Sequence, residues 1–280
     1  MNSIRTINNN YSDDYEKAIH RYFDNLERQA LNNSPEVCNR RQMLFHRLRD
    51  EFVENQYQTK ALEKIVKWAV YKLESGSENI FENGTILDNG CGAGGITIEL
   101  KKGGHKIIGL EPDRSLLSIA QTRSFDGIKI WIQGVGEQLP FHDETFTMVL
   151  SKSVFEHVTN QKDYLQEIYR VLKPSGIGIF FIPNAWWFLE HHGRFLMLPF
   201  CGSREKRFIK LYGIRLFGNI RPPHYYSLLK FFSSLPWKIL IRPGNLFGTN
   251  TVPDRLISYI LRKIRLLHYI GSDFFVAVKK

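Results

Sequence analysis

The sequence predicts an α/β fold with a doubly wound, mostly parallel, seven-stranded sheet and helices on both of its faces. From residue 85 onward, short apolar runs alternate with segments of helical periodicity. One such run, Ile86–Asp88, leads into glycines at positions 90, 92, 94 and 95 and then into the apolar start of a helix. This strand–glycine turn–helix unit is typical of a nucleotide-binding, Rossmann-like sheet.

The length of 280 residues is enough for one such domain with additions, or for two small domains. We expect a helical N-terminal cover over residues 1–80 and the α/β domain over residues 81–280. The first ten residues are polar and no apolar run approaches the ~20 residues of a membrane span, so neither a signal peptide nor a transmembrane segment is predicted. Three widely separated cysteines favour a reducing, cytoplasmic setting.

Three amphipathic helices are predicted in residues 11–75, because apolar residues recur there at intervals of three and four. The first follows Asp13, the second begins at Pro35, and the third starts near residue 58 and ends before Gly76. They carry no catalytic motif, so we interpret them as a lid, an oligomer contact or a cover for the substrate.

Strand and helix alternate through the rest of the chain. Strands are predicted at 85–89, 106–111, 128–133, 146–151, 177–183, 238–241 and 272–278. The clearest helices are predicted at 116–122, 163–172, 226–232 and 253–267. The last of these has a basic face, which suits either a peripheral membrane contact or packing on the sheet; we favour packing.

Residues 184–224 break the alternation and form a predicted substrate insert, or lid, between strands five and six. The insert is rich in aromatic residues and has seven arginines and lysines against two glutamates. A connection of this length is usually functional, and its aromatic content argues against disorder. Trp186, Trp187 and Tyr225, with His224 beside them, are candidates to stack on a sugar or ring; a small core of the insert is the alternative.

The formal net charge of +10 suggests an acidic partner, such as a phosphate, a uronate, a nucleic acid or an anionic lipid surface. A solvated basic surface explains the charge equally well. Glu111, at the tip of the second strand, is placed to accept hydrogen bonds from ribose hydroxyls. Because Gly90, Gly92 and Gly95 also satisfy the dinucleotide fingerprint, these residues alone leave open whether the ligand is NAD or S-adenosylmethionine.

Three further motifs separate these ligands. They are the loop Glu137–Phe141, the helix start Glu156–Val158 and the turn Arg170–Gly176. With them the chain resembles the class I S-adenosylmethionine-dependent methyltransferases, in the branch that acts on small molecules, quinones, lipids and glycans. Members of that family have an acid and a glycine turn after strand one and a second acid after strand two. They also have an E-x-L-P-F loop, an E-H-V helix start and an L-K-P-G-G turn. The resemblance covers residues 84–184.

The resemblance implies a site for S-adenosylmethionine at the strand tips, with the methionine part beside strand one, the ribose beside strand two and the adenine beside strand three. The residues carried over are Asp88, Gly90, Cys91, Gly92 and Gly94 for the methionine part, Glu111 and Asp113 for the ribose, Gly136 and Glu137 for the adenine, and Ser151 and Phe155 for the methionine end or the adenine.

Three positions depart from the family pattern. Asn89 replaces an apolar residue, and Ser175 replaces a glycine. Val135 stands where many relatives have an acid that binds the adenine amino group. An apolar side chain packs on the ring but cannot accept from its amine, which predicts weaker binding or a contact made by main-chain carbonyls.

Methyl transfer from a sulfonium depends mainly on alignment of the acceptor with the methyl group and on exclusion of water. A hydroxyl acceptor can also need a general base, for which His157, His191 and His192 are the candidates. A structural role is the alternative for each of them. The sequence indicates no metal site.

We therefore expect a methyltransferase that modifies an oxygen of a small-molecule, glycan or lipid-linked acceptor. Three alternatives remain: a catalytically silent S-adenosylmethionine-binding protein, an NAD-dependent oxidoreductase and an RNA methyltransferase. A nucleic-acid acceptor is disfavoured, because Leu150–Ser153 lacks the D/N-P-P-aromatic turn of amino-methylating enzymes and no cysteine follows a proline.

Overall fold

A computed structural model describes residues 13–54, 66–67, 69–73, 84–122, 130–185, 204–214, 221–243 and 273–280. Its helices are α1 (Asp13–Arg28), α2 (Pro35–Glu54), α3 (Gly95–Lys102), α4 (Arg114–Thr122), α5 (Gln161–Val171), α6 (Arg204–Tyr212) and α7 (Tyr225–Phe232). Its strands are β1 (Thr85–Asn89), β2 (Lys106–Glu111), β3 (Trp131–Gln133), β4 (Phe146–Lys152), β5 (Leu172–Pro183), β6 (Lys238–Pro243) and β7 (Asp273–Lys279).

The strands form one seven-stranded sheet in the order β3-β2-β1-β4-β5-β7-β6. Strands β1 to β5 pair in parallel, and β7 pairs antiparallel with both β5 and β6. The predicted mostly parallel, seven-stranded sheet is therefore confirmed. The strand order reverses between β1 and β4, and ligands of such sheets bind in the crevice at the carboxyl ends of the strands on either side of that reversal.

The central strands are apolar on both faces because helices cover both sides of a parallel sheet. Leu87 of β1 and Val149 of β4 enter one core, with side chains of α5 and α7. Ile86 and Met148, their neighbours in sequence, enter a second core with buried residues of the segment 66–73, of which residues 66–67 and 69–72 are helical. This alternation fixes the register of the sheet, since a slip of one residue exchanges the two faces.

A third cluster joins the N-terminal helices to the sheet domain. Apolar side chains of α1 and α2 pack with Leu116 and Ile119 of α4, with Ala93 of the glycine turn and with Ile214. The N-terminal region thus lies against the end of the sheet that carries the glycine turn. Within the described residues, no helix is long and apolar enough to cross a membrane.

Several boundaries differ from the sequence prediction, most of all in β5 and β3. Strand β5 begins at Leu172 rather than near residue 177, because Leu172 already pairs with Phe146. The pairing then shifts register, so the predicted turn at Pro174–Gly176 survives as an irregularity inside the strand. Strand β3 was predicted at 128–133. It begins at Trp131 in the structure, and Ile130 precedes it outside the strand. The predicted helix at 253–267 lies outside the described residues.

Candidate active site

The turn after β1 is held in place by main-chain hydrogen bonds to β2. The N–H groups of Gly90 and Cys91 both donate to the carbonyl of Leu110, at 2.8 and 3.0 Å. The φ angles of Gly90, Gly92 and Gly94 are 83°, 55° and 78°. A residue with a side chain adopts these angles only with strain, so this path of the main chain requires the glycines.

Glu111 ends β2 and faces this turn. One of its carboxylate oxygens accepts from the N–H of Gly92 at 2.9 Å, and the other accepts from the N–H of Asp113 at 3.0 Å. Burial raises the pKa of Glu111, and these two hydrogen bonds oppose the rise. A carboxylate oxygen has two lone pairs, so each oxygen can accept one further hydrogen bond.

Asp88 lies one residue before the end of β1 and is almost fully buried. The hydroxyl of Thr97, in the first turns of α3, donates to it at 2.6 Å. Burial raises the pKa of Asp88 to about 6. Thr97 was not among the predicted site residues; the sequence signal that could have found it is a short polar residue on the helix face that covers the strand tip.

Asn89 is the last residue of β1, and its side chain is 1% exposed. Among the described residues, neither its amide nitrogen nor its amide oxygen has a hydrogen-bond partner. The oxygen lies 3.1 Å from the place that a Cβ on Gly136 would occupy, beside the loop after β3. Buried polar groups are nearly always paired, so this amide is a candidate to bind a polar ligand.

Two residues of α5 hold the loop after β3. Glu167 accepts from the N–H of Leu139 at 2.7 Å, and Arg170 donates to the carbonyls of Leu139 and Phe141 at 3.0 and 2.8 Å. The hydrogen bond from Arg170 also lowers the pKa of Glu167. The loop therefore has a fixed path, and Val135 stands on it with 47% of its surface exposed.

The predicted adenine contact Glu137 is also engaged with the protein. Its carboxylate accepts from the N–H of Thr159 at 2.7 Å and so ties the loop after β3 to the loop after β4. Gly136 is buried, and a Cβ at this position would lie 2.4 Å from the ring of Tyr164. A glycine is thus needed here to let the loop approach α5.

The corner after β4 is built by packing. Ser151 is buried, and its hydroxyl lies 2.7 Å from that of Tyr164. Phe155 is fully buried, with its ring centroid 5.8 Å from that of Phe231 and 5.7 Å from that of Phe232. The expectation that this ring faces the ligand does not match its position, because α7 encloses it. His157 is partly exposed, and its Nε2 lies 3.7 Å from a carboxylate oxygen of Glu156.

His224 and Tyr225 stand at the start of α7. His224 is the N-cap of this helix, and its Nδ1 accepts from the N–H of Ser227 at 3.2 Å. Tyr225 packs against Phe274, at 6.0 Å between ring centroids. These contacts give both residues a structural role, and their contact with a substrate stays a prediction. The other predicted residues of the insert, Trp186, Trp187, His191 and His192, lie outside the described residues.

Helix α1 packs against α4, the helix that follows β2. Tyr22, on the buried face of α1, has its pKa raised by burial and by the charges of Asp113 and Glu111. Its phenol therefore lies close to the carboxylates at the tip of β2. The helical spacing of the apolar residues in α1 predicted a buried face, but it did not predict which part of the sheet domain this face covers.

The structure thus brings together the predicted residues of the turn after β1, the tip of β2 and the loop after β3. A Cβ on Gly92 would meet nothing within 4 Å, so space is open beside the turn. The carboxylate of Glu111 lies beside this space, where it accepts from the N–H of Gly92, and the unpaired amide of Asn89 lies between the tip of β1 and the loop after β3. Such a donor and acceptor set suits a ligand with a positive charge, hydroxyl groups and a polar ring.

Comparisons with known proteins agree with this geometry. Residues 87–180 match the family model described as "Methyltransferase domain". The chain is 37% identical over 97 residues to the mitochondrial Ubiquinone biosynthesis O-methyltransferase of Rattus norvegicus, covering 32% of this chain and 28% of that protein. It is 29% identical over 142 residues to the Malonyl-[acyl-carrier protein] O-methyltransferase of Enterobacter lignolyticus, covering 46% of this chain and 53% of that protein.

The matched part therefore spans between about a quarter and a half of the length of these relatives. The crystal structure of an S-adenosylmethionine dependent methyltransferase from Mesorhizobium loti superposes with a TM-score of 0.52 at 13% identity. That match covers 76% of this chain and 98% of the other chain, which shows a shared fold.

Proposed function

We propose that this chain, which carries a class I methyltransferase domain, transfers a methyl group from S-adenosylmethionine to an oxygen of a small-molecule, glycan or lipid-linked acceptor. The observation that carries the proposal is the pairing of Glu111 with the glycine turn. Its carboxylate is held by the N–H groups of Gly92 and Asp113, at the reversal of strand order, with lone pairs left for a diol.

The residues present fit S-adenosylmethionine. Glu111 would accept from the ribose hydroxyls, and the open space beside Gly92 would take the aminoacyl chain, since no side chain fills it. The buried charge of Asp88 favours a cation nearby, as the sulfonium and ammonium groups provide. The unpaired amide of Asn89 would gain a polar partner.

When bound, S-adenosylmethionine supplies a methyl group that is already activated by the positive sulfur. The work left to the chain is to hold the acceptor oxygen in line and to keep water out. Proton removal from a hydroxyl acceptor needs a base. Of the three proposed bases, only His157 lies in the described part, where its Nε2 is 3.7 Å from a carboxylate oxygen of Glu156.

Two lines of support favour an oxygen acceptor with acidic groups. The relatives from Rattus norvegicus and Enterobacter lignolyticus are both named as O-methyltransferases. The net charge of +10 and the basic side chains of α6, namely Lys206, Arg207 and Lys210, favour anionic ligands.

Transfer of a labelled methyl group tests the proposal. The protein is incubated with methyl-labelled S-adenosylmethionine and with separated lipid, small-molecule, glycan and RNA fractions of a cell extract. We expect label in one of the first three fractions. Treatment with alkali then identifies the bond, because a methyl ester loses its label and a methyl ether keeps it.

The matched variants are Glu111→Gln and Glu99→Gln. Both replace a glutamate by its neutral isostere, but Glu99 pairs with Lys102 on the surface of α3. We expect label transfer to fall in Glu111→Gln alone. Cofactor binding without transfer to any fraction would support the silent binding protein instead, and label in RNA would support the RNA methyltransferase.

A further inference from the structure

Arg41 of α2 is a fully buried charge. Its side chain is 0% exposed, and all five of its N–H donors have acceptors. Nε and Nη2 donate to the two carboxylate oxygens of Glu27. The remaining donors reach the carbonyl of Asn32 at 2.9 Å, the amide oxygen of Asn33 at 2.8 Å and the carbonyl of Tyr212 at 3.1 Å.

These partners belong to three separate parts of the chain. Glu27 lies on α1, and Asn32 and Asn33 form the turn between α1 and α2. Tyr212 ends α6, inside the insert between β5 and β6, and it is 171 residues from Arg41. A buried guanidinium is stable only when it is fully paired, so this residue requires all three parts to be in place together.

The end of α6 is shaped for this contact. The last carbonyls of a helix lack partners within the helix and carry its negative dipole. Here Arg40 donates to the carbonyl of Leu211 at 3.0 Å, and Arg41 donates to the carbonyl of Tyr212. The N–H of Leu31 donates to the carbonyl of Gly213. Gly213 has φ 66°, and a Cβ on it would lie 2.5 Å from the carbonyl oxygen of Asn32.

The next residue connects this contact to the cofactor side of the site. Ile214 is 1% exposed and lies in the cluster that also holds Tyr22 of α1 and Ala93 of the glycine turn. The other end of the insert is fixed elsewhere, since the N–H of Arg221 donates to the carbonyl of Glu156 at 2.7 Å, in the corner after β4. The insert is thus anchored on both sides of the crevice.

We propose that Arg41 is a positioning residue that ties the insert segment 204–214 to the N-terminal helices, so that binding at the glycine turn orders both as one unit. This inference rests on the proposed function. A ligand that orders Ala93 stabilises the cluster containing Ile214, and the hydrogen bonds of Arg41 extend this order to α6.

Hydrogen exchange measured by mass spectrometry on the full chain tests the inference, with S-adenosylhomocysteine as the ligand. In the wild type, we expect the ligand to slow exchange in 204–214 by about fivefold or more, the lower end of typical coupling between sites. We expect Arg41→Met to lose this effect and Arg41→Lys to recover part of it, since lysine keeps the charge but has three donors. Arg28→Met, which removes a surface arginine of α1, should behave as the wild type.

Steady-state kinetics add a readout that a purely structural role would leave unchanged. In Arg41→Lys, we expect the KM of the acceptor to rise while the affinity for S-adenosylhomocysteine stays within about twofold of the wild type. If Arg41→Met does not fold, Glu27→Gln replaces it, because it weakens the same pair without changing the volume of either side chain.

Two results overturn the inference alone: ligand binding that leaves exchange in 204–214 unchanged, or an Arg41→Met variant that keeps the wild-type effect. The absence of any binding overturns the proposed function as well. Exchange in β4, in the centre of the sheet, shows in each case whether the fold is intact.

Discussion

The two sides of the crevice are built by different means. On the cofactor side, the main chain makes the contacts: Gly90 and Cys91 bond to the carbonyl of Leu110, and the N–H of Gly92 bonds to Glu111. On the side of the N-terminal helices and the insert, the buried side chain of Arg41 contacts three segments of the chain, and the N–H of Leu31 adds a bond to the carbonyl of Gly213. The comparison indicates that the cofactor side depends on local sequence patterns and that the other side depends on distant partners.

Loss of the Arg41 contacts should lower the free energy of unfolding more than any other proposed substitution. We expect Arg41→Met to lower the free energy of unfolding by about 3 kcal/mol, the lower end for a broken buried pair, because Glu27 keeps access to water. Arg28→Met should change it by no more than about 0.5 kcal/mol. Chemical denaturation followed by circular dichroism measures both. A loss below about 1 kcal/mol for Arg41→Met would mean that packing, and not the guanidinium, joins these segments.

On the cofactor side, the free energy of unfolding should depend on pH. The pKa of Asp88 is raised from 3.8 to about 6 in the folded protein, so the folded state binds its proton more tightly than the unfolded state. The resulting stability is present below about pH 4 and is lost as the pH rises to about 6, by about 2–3 kcal/mol at most. The raised pKa of Glu111 acts in the same direction.

Asp88→Asn is the matched variant, since its side-chain oxygen can still accept from Thr97. We expect most of the loss between pH 4 and pH 7 to be absent in this variant, as measured by denaturation at a series of pH values. Equal pH dependence in the two proteins would show that the carboxyl of Asp88 has an ordinary pKa.

A smaller effect concerns the adenine side. Val135 is 47% exposed on a loop that α5 holds in place, so a side chain here can change without moving the loop. We expect Val135→Asp to strengthen binding of S-adenosylmethionine by about 3- to 10-fold, the value of one added hydrogen bond. Val135→Ala controls for the lost apolar surface. Calorimetry that finds no gain in the aspartate variant would place the adenine amine elsewhere.

The smallest expected effect on stability concerns a residue that belongs to neither side of the crevice. Ser175 has φ 64° at the position where the resemblance expects a glycine. Ser175→Gly should raise the free energy of unfolding by about 0.5–1 kcal/mol, because the left-handed conformation costs a residue with a side chain about that much. Ser118→Gly, within α4, should lower it by about 0.5 kcal/mol. Thermal denaturation distinguishes the two signs, and a loss at Ser175 would contradict the explanation.

The difference between the two sides also explains what the sequence could predict. The bounds predicted for β1 and β2, 85–89 and 106–111, agree with the structure because glycines and acids directly follow these apolar runs. The pairing of Glu111 with the glycine turn follows from that spacing. Asn89 was noted as a departure, but its lack of a partner depends on the loop after β3, which only the fold brings close.

Other features depend on contacts that no local pattern contains. Phe155 follows β4 and was expected beside the ligand, yet Phe231 and Phe232 of α7 enclose it. Arg41 appears in the sequence as one of several charges on α2, and its partner Tyr212 lies in the insert, 171 residues away. The burial of this charge cannot be predicted from the sequence, because it depends on how the two segments pack together.

The central claim is that the glycine turn and Glu111 bind S-adenosylmethionine. Isothermal titration calorimetry with S-adenosylmethionine and with NAD, on the wild type and on Glu111→Ala, tests it most directly. We expect that only S-adenosylmethionine binds and that Glu111→Ala weakens this binding by about 10- to 100-fold, because a charged hydrogen-bond acceptor is lost. Binding of NAD without S-adenosylmethionine, or unchanged affinity in Glu111→Ala, would contradict it.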